Sequence, residues 1–176
     1  MIEQIKKLID VKLDNINTVA LGIITQVDLK KLRCNVKLKH KIQGNEIELF
    51  DVPIACLKSS AGTIVISPAE GDIVLVLFSK YELVEQLKNK EAVDVNELLK
   101  FNLNNAIVFG GLFTLVDSIP TIGKDELLIE HKSGNYIKFQ QDGKITIKGD
   151  VYVDGNLDFK QIRGVDAESG EWHKHS

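Results

Sequence analysis

Residues 134–156 read GNYIKFQQDGKITIKGDVYVDGN, and the architecture of the C-terminal third turns on this stretch. Ile137 and Phe139, Ile145 and Ile147, and Val151 and Val153 are apolar pairs spaced by two. Successive side chains of a strand point to opposite faces, so each pair projects to one side. Leu127 and Ile129 precede the run and Leu157 and Phe159 follow it, while Gly134, Gly143, Gly149, Gly155 and Gly164 punctuate the units. Polar residues take the other face. So little apolar surface cannot make a core in one chain. A single-chain solenoid would need more stacked repeats than about forty residues supply. Three copies wound round a common axis could turn every pair inward, and cyclic symmetry closes such an assembly. Residues 121–176 are therefore predicted to form an intertwined trimeric β-helix or β-prism, and the chain a homotrimer.

The segment ends in Trp172-His173-Lys174-His175-Ser176. If the strand habit continues, His173 and His175 share a face, roughly 6.5–7 Å apart at Cα. A trimer then offers six imidazoles, two layers of three, to one point on its axis. Imidazole suits iron, nickel, zinc and copper. Six-nitrogen octahedral coordination disfavours zinc, whose structural sites are nearly always tetrahedral. The expectation is one iron ion per trimer held by His173 and His175, ahead of zinc or nickel. His40 and His131 have no comparable neighbour and read as ordinary surface or packing residues.

Upstream the pattern changes. In residues 1–16, Ile2, Ile5, Ile9, Leu13 and Ile16 recur at intervals of three and four among Lys, Glu and Asp, an amphipathic helix. It packs either on its own domain or against a partner. Thr18–Val27 is rich in Val, Ile and Thr, and Leu32, Cys34, Val36 and Leu38 alternate with polar residues as a half-buried strand does. Gln43-Gly44-Asn45 gives a turn, Ile47–Cys56 another strand, and Ile64–Ile66 and Ile73–Phe78 two more, with Pro68–Asp72 as loop. Residues 81–101 interrupt the strands with one or two helical turns, and Asn105–Thr114 reads as a last strand with a Gly-Gly bend. Short strands at this spacing predict an OB-type barrel over residues 17–120. The fold class is mainly all-β: a barrel with a short helix and a helical insert, followed by the prism.

Bulk properties narrow the function. A formal charge of -3 argues against a strong nucleic-acid binder. Tyr81, Phe50 and Phe78 are scattered and do not form the stacking platform that single strands require. The sequence has no run of about 18 apolar residues to span a bilayer as a helix, and its opening residues are not expected to act as a signal peptide. Cys34 and Cys56 sit in apolar stretches and read as small hydrophobes without a disulfide. The acidic residues Glu82, Glu85, Glu91, Asp94 and Glu97 read as a solvated helical surface, and Leu115–Lys124 leaves no room for an inserted hydrolase domain. The protein is expected not to be an enzyme.

The layout resembles the central spike proteins of contractile phage baseplates and related injection systems, in which an N-terminal OB-fold domain is followed by a trimeric β-helix and an apex. The resemblance covers roughly residues 17–176. It is carried by the strand-and-glycine run 134–156, by Ala69-Glu70-Gly71-Asp72-Ile73-Val74-Leu75-Val76, which is similar to a barrel strand of such domains, and by His173-Lys174-His175 at the position of the family's iron-binding His-x-His. It implies a structural spike that caps the tail tube, sits on a baseplate hub protein and pierces the target cell's envelope. Such a protein would be made in the host cytoplasm and end in a virion or phage-like particle. The alternative is a trimeric tail fibre, a receptor-binding protein or a hub adaptor with no piercing role.

Overall fold

The computed structural model describes residues 2–14, 16–95, 100–158, 162–165 and 172–175. The chain divides into two compact units, Met1–Ile119 and Pro120–Ser176. The first opens with helix α1 (Ile2–Asp14), followed by strands β1 (Val19–Asp28), β2 (Arg33–Leu38) and β3 (Glu48–Ala55). A small hairpin of β4 (Leu57–Lys58) and β5 (Thr63–Ile64) comes next, then β6 (Ile73–Phe78), helix α2 (Leu83–Lys88), a 3-10 turn at Leu103–Asn105, and β7 (Ala106–Gly111).

Five of these strands close a barrel in the order β1-β2-β3-β7-β6. All neighbours are antiparallel except β3 and β7, which run parallel through Ile54↔Val108 and Ala55↔Phe109. The unit is thus an all-β, OB-fold-like barrel. Its helical insert α2 falls between the fourth and fifth barrel strands. The apolar run Ile64–Ile66 does not join the barrel: β5 ends at Ile64 and pairs only with β4.

Alternation builds the core. In β2, Cys34, Val36 and Leu38 point inward, and in β6 Val74, Val76 and Phe78 do the same. They meet Ala20, Ile24, Leu49, Val52, Ala106 and Val108 in one cluster, with Val36 and Val76 fully sealed from solvent. Burial pushes the Cys34 thiol up to about 11, so it stays neutral and serves as an apolar filler.

Gly22 occupies an inward position of β1 between buried Ala20 and Ile24. A Cβ there would overlap Val36 Cγ2 and lie 2.9 Å from Val76 Cγ2. The absent side chain lets strands β2 and β6 approach across the barrel. Gly22→Ala is expected to destabilise the barrel by about 1–3 kcal/mol through overpacking. Urea denaturation checks this, with Gly62→Ala as control, since a Cβ at Gly62 meets nothing within 4 Å. Equal midpoints for the two variants would refute the packing argument.

The second unit contains β8 (Leu127–Glu130), β9 (Tyr136–Phe139) and β10 (Ile145–Lys148), which form an antiparallel sheet, and a separate pair, β11 (Ile162–Val165) with β12 (Trp172–His175). The two hairpin turns of the sheet are alike. His131 N donates to Asn135 O (2.8 Å) and Gly134 N to His131 O (2.8 Å); Gln140 N donates to Lys144 O (2.9 Å) and Gly143 N to Gln140 O (3.0 Å). Gly134 and Gly143 take φ of 81° and 82°. That left-handed conformation favours glycine and closes three-residue hairpin loops. Ser133-Gly134 and Asp142-Gly143 are therefore the local signals that set the register.

One sequence expectation differs here. Val151–Val153 is not paired as a strand, and within the described residues the sheet stops at β10. Phe159 lies outside the described residues. An interwound β-helix would involve several chains; the described residues of the second unit form the three-stranded sheet and the β11–β12 pair.

Candidate functional site

The register of β8–β10 gathers the apolar pairs. Leu127, Phe139 and Ile145 lie in one cross-strand row, and Ile129, Ile137 and Ile147 in the next. All six side chains occupy the same face, because directly opposed residues share a face. That face is open: Ile145 is 59% exposed, Ile129 57%, and even the central-strand Ile137 38%. Val151, Val153 and Leu157 add further exposed apolar surface. A soluble monomer rarely leaves such a patch uncovered.

The opposite face of the sheet is satisfied within the chain. Lys138 Nζ meets Glu126 Oε2 at 2.7 Å, with both side chains mostly shielded from solvent. Gly123 N also donates to Glu126 (2.6 Å), and Lys148 Nζ lies 5.7 Å from the Tyr136 ring centre. The hydrogen bond from Lys138, reinforced by the one from Gly123, holds the Glu126 carboxyl below its usual range. Asp142 is lowered likewise, first by its bond from the Lys144 side chain. Carboxylates with lowered folded pKa values stabilise the fold above their unfolded values, near pH 4, and that contribution is lost as pH falls through the folded values. The sheet is therefore expected to weaken on acidification below about pH 4. Lys138→Met should flatten that dependence in pH-stepped denaturation monitored at the sheet. An unchanged slope would exclude Glu126 as a contributor.

His173 and His175 lie on β12, where His173 is opposite Gly164 and His175 opposite Ile162 of β11. Being two apart on one strand, they fall on the same strand face, with their Cα atoms about 6.5–7 Å apart. Their side chains lie outside the described residues. Two histidines from one chain are too few donors to complete a transition-metal shell. Among the described side chains no group of three or more His, Cys, Asp or Glu gathers elsewhere.

The other residues singled out in the sequence are dispersed. His131 lies in the first hairpin turn, its Nδ1 2.9 Å from Ser133 Oγ, and His40 is exposed. Phe78 is in the barrel core, Phe50 is 69% exposed, and Tyr81 lies beneath the ammonium groups of Lys80 and Lys100, 5.0 and 5.6 Å from its ring centre. Glu85 is engaged with Lys88 (2.7 Å), and Glu82 and Glu91 are on other turns of the insert. Glu97 lies outside the described residues.

One feature of the barrel is missed by the strand reading of Ile64–Ile66. A cavity of about 730 Å³ opens beside the β4–β5 hairpin, lined by Ile54, Leu57, Ile64, Ile66, Phe109 and Phe113 among others. Its charged lining residues are Asp72 and Asp117. Both carboxylates close local turns: Asp72 accepts from Ala69 N (2.8 Å), and Asp117 from Thr114 N. The bond from Thr114 N is the main reason Asp117 titrates below its usual range. This lining can hold apolar groups. The non-alternating run Thr63–Ile66 was the one sequence sign of it, since an apolar stretch without period two does not belong to a half-buried strand.

No helix among the described residues is long and apolar enough to cross a membrane. No protein-family model matches the chain, and none of the curated proteins is similar to it.

Proposed function

We propose that the protein is the structural spike at the tip of a contractile phage tail or phage-like injection device, capping the tube and piercing the target cell's envelope. The observation that carries this reading is the uncovered apolar face of β8–β10, with six aliphatic or aromatic side chains in two registered rows. Three such sheets facing one axis would cover each other, and threefold symmetry closes the assembly without an exposed remainder. The strands would continue beyond β10 by pairing between chains, giving Val151–Val153 the neighbours it lacks within one chain. The OB-like barrel is the companion domain that the spike resemblance implies, and it would rest on a baseplate hub protein.

His173 and His175 of three chains would hold one iron ion in six-nitrogen coordination. The bound ion would tie three chain ends into one rigid point and keep the tip from fraying under load. A protein of this kind performs no turnover and binds no nucleic acid; it works by stiffness and shape.

Sedimentation mass and metal analysis of the same sample test the proposal together. A trimer containing about one transition-metal ion per three chains is expected. A monomer would reject the proposal. A metal-free trimer would instead favour a fibre, receptor-binding protein or hub adaptor.

A further inference from the structure

The dipeptide Asp-Gly occurs at Asp142-Gly143 and again at Asp154-Gly155, and the fold treats the two steps differently. The step is chemically labile, because glycine has no Cβ to keep its amide nitrogen away from the preceding side chain. At the first step every reacting group is engaged. Asp142 Oδ1 accepts from Lys144 N (3.1 Å), Asp142 Oδ2 accepts from Lys144 Nζ (2.6 Å), and Gly143 N donates to Gln140 O (3.0 Å). The bonds from Lys144 also hold the Asp142 carboxyl below its usual range, in the ionised form that cannot shed an oxygen as water. At the second step neither the Asp154 carboxyl nor Gly155 N has a hydrogen-bond partner among the described residues. Both residues are exposed, and a Cβ added at Gly155 would meet nothing within 4 Å.

We infer that Asp154-Gly155 is a site of spontaneous backbone isomerisation, where Asp154 turns to isoaspartate through a cyclic succinimide, while its hairpin protects Asp142. Gly155 N attacks Asp154 Cγ. The N–Cγ bond forms, the Cγ–OH bond breaks, and the hydroxyl leaves with the amide proton as water. Water then adds to the ring carbonyl attached to Asp154 Cα and breaks its bond to Gly155 N, so the chain now runs through Cγ. Nothing is oxidised or reduced, and the mass is unchanged. The main chain gains one carbon, which puts the side chains before and after residue 154 out of step. In an extended chain Asp154 faces away from Val151 and Val153, so a threefold assembly that covers those valines leaves the step open to water. The inference does not depend on that assembly.

Trypsin separates the two steps, since residues 139–144 carry Asp142 and residues 149–160 carry Asp154. The whole protein is held in mildly acidic buffer at body temperature, and isoaspartate is scored in each peptide by retention and electron-transfer fragmentation. About tenfold more is expected in 149–160, because Asp142 must first give up its hydrogen bonds. In concentrated urea the two peptides should react alike. Asp154→Glu, whose longer side chain disfavours the five-membered ring, should remove the signal from 149–160. Asp150 and Asp158 of that peptide precede Val151 and Phe159, whose side chains hinder the attack. Equal accumulation in the native protein, none in either peptide, a preference that persists in urea, or a signal that survives Asp154→Glu would each overturn the inference.

Discussion

Ile137→Asp combined with Ile147→Asp is expected to turn the trimer into a monomer whose barrel unfolds as the parent's does. Ile137 is on the central strand, and its cross-strand neighbours on that face are Ile129 and Ile147. Fully burying such a side chain is worth about 1.5–3 kcal/mol, and each of the six in the two rows is already partly covered. Covering the rest would contribute roughly 5–9 kcal/mol per chain, enough to matter against the cost of association. A carboxylate in that interface forfeits the gain at its position. It must also lose its hydration or take up a proton, at a cost of several kcal/mol. Two per chain place six around the axis. The barrel has its own closed core and should keep its denaturation midpoint. Analytical ultracentrifugation reads the mass. Thr146→Asp, on the opposite face of β10, is the control and should leave the trimer whole. A double variant that still sediments as a trimer would remove the sheet face from the assembly.

The second large effect is expected at the chain's end. His173→Ala with His175→Ala should abolish transition-metal content while the sheet preserves the trimer. The single variants should each leave three imidazoles per trimer, too few for an octahedral shell, and weaken retention sharply. Imidazole binds metal only when neutral, so acidification should release the parent's ion. The change in metal content, read by elemental analysis after dialysis, should come with faster proteolysis after residue 158. Iron should dominate; four-coordinate zinc would mean that not all six histidines take part. If the double variant retains the parent's metal, the ion is held elsewhere and the tip assignment fails.

Local chemistry made much of the fold readable. The alternation of β2 and β6, the glycine turns at 134 and 143, and the helical interruption between β6 and β7 all depend on residues within a few positions of each other. The His-x-His spacing is equally local: two positions on one strand face follow from period two alone. Less readable were features that depend on a partner distant in sequence. The parallel β3–β7 pairing joins residues more than fifty positions apart, and nothing near Ile54 announces Val108. The role of Gly22 depends on Val36 and Val76 meeting across the barrel. The Glu126–Lys138 pair depends on the β8–β9 register, which sets Lys138 diagonally across from Glu126 on the sheet's polar face.

The amino-acid sequence by itself determined that residues 127–148 form short strands with one apolar side each, because side-chain direction in a strand depends only on parity. Tertiary structure decided that the three sides coincide: turn geometry fixes register, and a slip of one residue would have sent a strand's apolar pair to the other face. It also decided that this face and the apolar side chains of α1 are exposed within one chain, since burial depends on which surfaces the rest of the chain can reach. The six-residue face, more than the two histidines, now carries the case for a threefold assembly.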